Sequence, residues 1–154
     1  MGYPDRDMPL LLLLVSTERH LADALQQHLV AAGFDDHRVV HHNVMAHITQ
    51  EGIRLTELAE KAGMTKQAMS ELVIDLERLG YLQRSPDPRD GRAKLIDLTA
   101  KGRAAVQAAM RSFDHMHHLL AARLGPAALQ ALRRGLVTTL ETPLSPQSSP
   151  PDPG

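Results

Sequence analysis

Residues 55–103 decide the fold, and they read LTELAEKAGMTKQAMSELVIDLERLGYLQRSPDPRDGRAKLIDLTAKGR. The first half contains two short segments with helical apolar spacing, and Thr56 and Thr65 are placed as their N-caps. Gly63 separates the two segments and suits a turn, because a positive φ costs glycine little. This pattern predicts one helix from Thr56 to Gly63 and a second from Thr65 to near Gly80, which together form a helix-turn-helix.

A hairpin with a basic tip follows the second helix. Residues 82–84 and 94–98 predict its two strands, and residues 86–91 hold two prolines and a glycine, which cannot continue a helix. The arginines at or beside the tip are Arg84, Arg89 and Arg92. A hairpin in this position is a wing, and a guanidinium fits the narrow, negative minor groove of B-DNA.

The combined motifs of this stretch resemble those of the MarR (multiple antibiotic resistance regulator) family. They are Leu-Thr-Glu-Leu-Ala, Thr-Lys-Gln-Ala-Met-Ser, Leu-Glu-Arg-Leu-Gly-Tyr-Leu, Asp-Pro-Arg-Asp-Gly-Arg and Leu-Thr-x-x-Gly-Arg. The resemblance implies a winged helix-turn-helix that binds double-stranded DNA. It also gives Asp90 and Arg92 the family's Asp-x-Arg roles, in which Asp90 orients Arg92 and Arg92 enters the minor groove. Taken alone, such a pair is a surface ion pair worth about 0–1 kcal/mol.

The exposed face of the second helix supplies further candidate contacts. Glutamine forms bidentate hydrogen bonds with adenine, serine can hydrogen-bond to several bases, and lysine or a helix N-terminus suits phosphate. Any exposed helix face is polar, however, so these residues could also be ordinary surface residues. The predicted DNA-binding residues are Thr65, Lys66, Gln67, Ser70, Arg84, Arg89, Asp90, Arg92 and Lys94. The chain has a net charge of −1, so the positive charge that DNA requires is local, with six cations and three anions in residues 82–103.

Helical segments flank the winged domain on both sides. Spacing and caps predict helices over residues 10–32, 37–48 (capped by Asp35 or Asp36), 100–124 (capped by Thr99) and 126–141. Their apolar residues exceed what one winged domain covers, and the resemblance favours a homodimer. We therefore predict a mainly α fold with a small β-hairpin wing (α+β). Residues 9–34 and 100–142 would form a helical dimerisation region, residues 35–99 the DNA-binding domain, and residues 143–154, with five prolines, a disordered tail.

Composition argues against several other classes of protein. The chain has no cysteine, which excludes disulfides and thiolate metal sites. The apolar run Leu10 to Val15 is too short to cross a membrane, and the acidic residues before it do not suit a signal peptide. We therefore expect a cytoplasmic protein without a membrane partner. Without a nucleophile motif, phosphate loop or acid/base pair, we expect no enzyme activity and no cofactor.

Nine histidines are unusual for this length, and several are clustered. His37 and His41 lie four residues apart and His115 and His118 three apart, spacings that suit shared zinc coordination. Because neither pair has a fixed carboxylate partner, we predict no metal site. The resemblance also implies a small aromatic or phenolic effector between the dimer arm and the winged domain, with Arg38 and His41 as candidate ligand-binding residues.

The sequence as a whole predicts a sequence-specific DNA-binding transcriptional regulator. We expect a ligand-responsive dimeric repressor that reads a pseudo-palindromic operator, with helix 65–79 in the major groove and wing 82–98 in the minor groove. An activator role stays open at this point. Two other classes also stay open: an architectural protein indifferent to DNA sequence, and a metal-dependent enzyme that uses the histidine clusters.

Overall fold

The computed structural model describes residues 8–36, 38–49 and 51–143. Its elements, in chain order, are α1 (Leu10–Ala31), α2 (Val39–Ala46), β1 (Ile53–Arg54), α3 (Leu55–Lys61), α4 (Lys66–Arg78), β2 (Leu82–Asp87), β3 (Asp90–Leu98), α5 (Ala100–Leu124) and α6 (Pro126–Glu141). This confirms the predicted fold class, which is mainly helical with a small antiparallel sheet. The described part of the chain divides into two compact units, with the boundary between Phe113 and Asp114. The predicted proline-rich tail lies outside the described residues except for Pro143.

Helices α3 and α4 form the predicted helix-turn-helix. The Thr65 hydroxyl accepts a hydrogen bond from the Ala68 N–H at 3.2 Å, which confirms Thr65 as the N-cap of α4. Gly63 lies in the turn with φ of 64°. The predicted cap Thr56 is wrong, because α3 begins at Leu55 directly after β1 and Arg54 is its N-cap. Thr56 therefore lies within the first turn of α3.

The sheet has three strands in the order β1-β3-β2, and both pairings are antiparallel. Strand β1 was not predicted, because two residues are too few to show a strand period. The wing strands extend further than expected, so that the tip shortens to Pro88 and Arg89. Pro86 is part of β2, opposite Lys94. A proline is tolerated there because β2 is an edge strand, where one N–H has no ladder partner.

The core of the first unit is aliphatic, apart from one tyrosine. Its buried members are Val44, Met45, Ile53, Leu58, Ala59, Met69, Val73, Leu76, Tyr81, Leu82, Ile96 and Ala105. The Tyr81 hydroxyl donates to Asp36, and the Lys101 ammonium lies 2.5 Å from the other oxygen of Asp36 and 4.2 Å from the centre of the Tyr81 ring. Asp36 therefore ties the segment before α2 to the start of β2 and of α5. It is not the predicted cap of α2, where Arg38 is the N-cap residue.

The start of α5 docks on the junction between α4 and the wing. The Thr99 hydroxyl accepts from the Gly102 N–H at 3.1 Å, which confirms Thr99 as a cap. The same hydroxyl donates to the Gly80 carbonyl at 2.6 Å, and the Thr99 N–H donates to the Tyr81 carbonyl at 2.9 Å. Gly102 packs so closely on Tyr81 that an added Cβ would lie 2.2 Å from the Tyr81 carbonyl oxygen. These contacts fix α4, β2 and α5 relative to one another.

Both units expose many large apolar side chains. In the first unit they include Leu10, Leu11, Leu12, Leu13, Val15, Met110 and Phe113, and in the second they include Leu119, Leu124, Leu132, Leu136, Val137 and Leu140. In the second unit Pro126 begins α6 as predicted, and Leu129 is buried. Among the described residues, no helix combines the length and the apolar character that a membrane span requires.

Candidate nucleic-acid interface

Helix α4 presents the predicted polar face to solvent. The side chains of Thr65, Lys66 and Gln67 are exposed, and Ser70 is half-buried. The opposite face holds the buried Met69, Val73 and Leu76. Because the core residues fix the rotation of α4, the polar residues of its first two turns have a defined outward direction. Their contacts with bases or phosphates remain predictions.

Two further residues on the exposed face escaped the sequence analysis. Glu71 and Ile74 follow Gln67 at spacings of four and seven residues, so they continue the same stripe of the helix. Ile74 is 56% exposed although it is a large apolar side chain. In a major groove, glutamate accepts from the cytosine amino group, and an aliphatic side chain contacts the thymine methyl. The helical phase of α4 would have identified both residues.

The inner side of α4 is tied to α2 through Asp75. One Asp75 oxygen accepts from the Arg38 guanidinium at 2.8 Å and lies 3.1 Å from the His41 Nε2, while the other accepts from Arg78 at 2.6 Å. Hydrogen bonds from Arg78 and Arg38 hold the pKa of Asp75 below its usual range. The last turns of α4 are thereby held against α2.

His41 is buried beside Asp75. Its side chain is fully buried, and its Nδ1 accepts the Arg38 N–H at 3.1 Å while its Nε2 faces Asp75. Burial, followed by the positive charge of Arg38, lowers the pKa of His41 and favours the neutral ring. Both ring nitrogens are thus engaged within the protein, and the effector role of His41 stays a prediction. The Arg38 guanidinium likewise pairs with Asp75.

The wing presents the predicted cations. Arg84, Arg89, Arg92 and Lys94 are all exposed. The Arg84 Nε donates to both carboxylate oxygens of Glu77 at 3.1 Å, so this guanidinium is turned towards α4. Arg89 at the tip and Arg92 in β3 therefore remain the two arginines best placed to leave the protein surface.

Asp90 contacts Arg92 through the backbone. Its Oδ1 accepts the backbone N–H of Arg92 at 3.2 Å, and its Oδ2 lies 3.5 Å from the Arg54 guanidinium. Asp90 thereby holds the backbone from which Arg92 projects. The orientation of the Arg92 guanidinium by Asp90 stays a prediction.

Asp87 performs the corresponding role for Arg89. It is 5% exposed, accepts the Arg89 N–H at 2.8 Å and accepts the Arg54 Nε at 2.8 Å. The hydrogen bond from the Arg89 N–H, followed by the one from Arg54, lowers the pKa of Asp87. Arg54 was missed because it lies in a two-residue strand far from the wing in sequence, and nothing in its local pattern marks it.

Two other features bear on ligands. Within residues 8–36, 38–49 and 51–143, no group of three or more His, Asp or Glu side chains is arranged to hold a metal ion, and His37 lies outside these ranges. In the first unit a cavity of about 480 Å³ is lined by Ile48, Thr49, Gln83, Asp97, Leu98, Arg103, Val106 and Gln107. Neither Arg38 nor His41 lines it.

A family model described as the MarR family matches residues 32–93, which include α2, the helix-turn-helix and the tip of the wing. The winged helix-turn-helix domain of this chain belongs to the MarR family. The transcriptional regulator HosA of Escherichia coli O111:H- is 33% identical over 73 residues, which cover 47% of this chain and 54% of HosA.

Two solved structures extend the likeness beyond the winged domain. The MepR–DNA complex of S. aureus has a TM-score of 0.70 and 25% identity, and the match covers 88% of this chain and 98% of MepR. The reduced form of MarR from E. coli has a TM-score of 0.73 at 22% identity, over 88% of this chain and 99% of MarR. The MarR family and its fold are those of DNA-binding transcriptional regulators, not of enzymes. The winged domain of this chain is that of a MarR-family transcriptional regulator.

Proposed function

We propose that this MarR-family chain is a homodimeric repressor that binds a pseudo-palindromic operator, with α4 in the major groove and the wing in the minor groove. One observation carries the proposal. The exposed polar face of α4 and the exposed Arg89 and Arg92 belong to elements that are locked together through Tyr81, Thr99 and Gly102. A rigid pair of readers suits sequence-specific binding, because both must reach their grooves at once.

The dimer is supported by the apolar surface of the flanking helices. Leu12, Phe113, Leu132 and Leu140 are among the exposed side chains, and a single chain leaves them in water. Such surfaces on soluble proteins usually mark interfaces. We assign residues 9–34 and 100–142 to this interface. Light scattering at micromolar concentration should give about twice 16.9 kDa, and a monomer that binds its operator tightly would refute the assignment.

We further propose that a small aromatic or phenolic anion regulates DNA binding from the cavity of the first unit. Its volume of about 480 Å³ falls in the range of ligand pockets. Arg103 offers a cation, and Leu98 and Val106 offer apolar walls, while the Asp97 carboxylate of the lining already accepts from the Ser85 hydroxyl. The cavity lies against β3, so that a ligand there would act on the strand that carries Arg92. Salicylate is a suitable probe: it should weaken operator binding, and operator DNA should weaken salicylate binding by the same factor. Salicylate affinity unchanged by saturating operator would refute this coupling.

The function is tested by selecting bound DNA from a fragmented native genome. We expect one enriched motif with two inverted half-sites about 10 base pairs apart, near the promoters that the protein represses. Competition with random DNA at fixed salt distinguishes a sequence-specific regulator from an architectural protein. Random DNA should displace an architectural protein from the selected DNA as well as the selected DNA itself does. Enrichment without a shared motif would contradict the proposal. An operator-controlled reporter then distinguishes repression from activation.

A further inference from the structure

Arg54 forms a cluster with the two aspartates that flank the wing tip. It lies in β1, separated from β2 by the whole width of β3, yet its guanidinium contacts Asp87 at the end of β2. The same guanidinium lies 3.5 Å from Asp90 at the start of β3. Asp87 and Asp90 are paired in register, so one cation spans the two carboxylates that close the hairpin.

Each aspartate in turn holds the backbone of one wing arginine. Asp87 accepts the Arg89 N–H at 2.8 Å, and Asp90 accepts the Arg92 N–H at 3.2 Å. Without Arg54, two facing carboxylates would repel each other at the tip. Relief of that repulsion by movement of the strands would displace both backbone segments, and with them the side chains of Arg89 and Arg92.

The difference in burial between Asp87 and Arg54 also indicates that Arg54 positions the wing tip. Asp87 is 5% exposed, so most of its hydration is replaced by the bonds from Arg54 and Arg89. The hydrogen bond to Asp87 and the negative charge of Asp87 raise the pKa of the Arg54 guanidinium, so the pair stays ionised. Arg54 itself is 44% exposed, and its fork is directed at the aspartates. The planar fork matters because two nitrogens of one rigid group face the same carboxylate.

We propose that Arg54 is a positioning residue for DNA binding: it holds Asp87 and Asp90 so that Arg89 and Arg92 project into the minor groove. The inference rests on the proposed role of the wing. Arg54 acts through the two wing arginines and does not itself contact DNA. Its contribution to operator affinity therefore depends on their presence.

A double-mutant cycle on a selected operator tests this inference. Arg54→Ala should weaken binding about tenfold in the natural chain, but less than about twofold in a chain that already carries Arg89→Ala and Arg92→Ala. Arg54→Lys should recover part of the loss, because lysine keeps the charge but not the fork. Lys61→Ala is the matched control: this side chain is 46% exposed and pairs with Glu57 away from the wing, so its removal should change affinity by less than about twofold.

The outcomes separate the inference from the proposed function. A tenfold loss in both backgrounds would show that Arg54 contacts DNA directly and would overturn the inference, as would no loss in the natural chain while the wing-arginine change weakens binding. No effect from removing both wing arginines would overturn the proposed role of the wing and the inference with it. Thermal melts establish that each variant is folded. Asp87→Asn, which keeps the acceptor for the Arg89 N–H but removes the charge, should show the same dependence on background if Arg54→Ala does not fold.

Discussion

Replacing Gly102 by alanine tests whether α5 docks on the wing junction as closely as the structure shows. The new Cβ would lie 2.2 Å from the Tyr81 carbonyl oxygen and 3.1 Å from Leu98 Cδ2. The first neighbour is backbone, so the helix and the start of β2 must separate by about 1 Å to restore a normal contact. Overpacking of this kind costs about 1–3 kcal/mol, and the better helix propensity of alanine offsets up to about 1 kcal/mol.

We therefore expect Gly102→Ala to lower the free energy of unfolding by up to about 2 kcal/mol, which lowers Tm by up to roughly 8 °C in a protein of this size. Gly135→Ala is the matched control, because Gly135 also lies in a helix and an added Cβ meets no atom of its own chain within 4 Å. It should raise the free energy of unfolding by about 0.5–1 kcal/mol. Both are measured by thermal and urea unfolding at one protein concentration.

The functional effect of Gly102→Ala should follow the same geometry. A shift between α5 and Tyr81 moves the wing relative to α4, so operator affinity should fall even where the variant is fully folded. If Gly102→Ala stabilises the protein as much as Gly135→Ala does, the close contact is absent and the proposed rigid coupling of the two readers is refuted.

The remaining predictions concern the buried histidine and the reading face of α4. The pKa of His41 lies below 6.5 in the folded protein, so between pH 7.5 and 5.5 the unfolded chain binds more protons than the folded protein does. The free energy of unfolding should therefore fall as the pH falls, by at most about 1.4 kcal/mol per pH unit. His41→Gln should flatten this pH dependence in urea titrations, and an unchanged slope in this variant would contradict the assignment. Gln67→Ala should relax base preference at one position of each half-site, with a loss of about 1–3 kcal/mol on the selected operator. Lys66→Ala should weaken binding to all DNA sequences alike and reduce by about one the number of ions released on binding, read from the salt dependence of the affinity. A change in base preference from Lys66→Ala, with a uniform loss from Gln67→Ala, would exchange the roles of the two residues.

The parts of the fold that the sequence predicts are those with a repeating or local signal. The apolar spacing of Met69, Val73 and Leu76 gave α4 and its orientation, and the caps Thr65 and Thr99 gave two helix starts. The wing followed from the turn residues between two short strands. Each of these signals arises within a few residues along the chain, so no tertiary information is needed to read it.

The parts that were missed or wrong depend on partners distant in sequence. Asp36 resembles a cap by position, but Tyr81 and Lys101 compete for its oxygens and Arg38 becomes the N-cap instead. No local pattern shows that the His41 ring lies beside Asp75 of α4. Arg54 reaches Asp87 over 33 positions, a contact that only the folded sheet creates. Spacing along one element cannot show which side chain from another element will fill a hydrogen bond.

The central claim is that the wing reads DNA through Arg92, and a titration of one selected operator at fixed salt tests it most directly. Arg92 is exposed, and its position is set through its backbone N–H, so Arg92→Ala should leave the thermal melt unchanged. The same change should weaken operator binding about ten- to a hundredfold, and Arg92→Lys should recover only part of that loss. Unchanged affinity in a folded Arg92→Ala dimer would contradict the claim and remove the wing from the recognition mechanism.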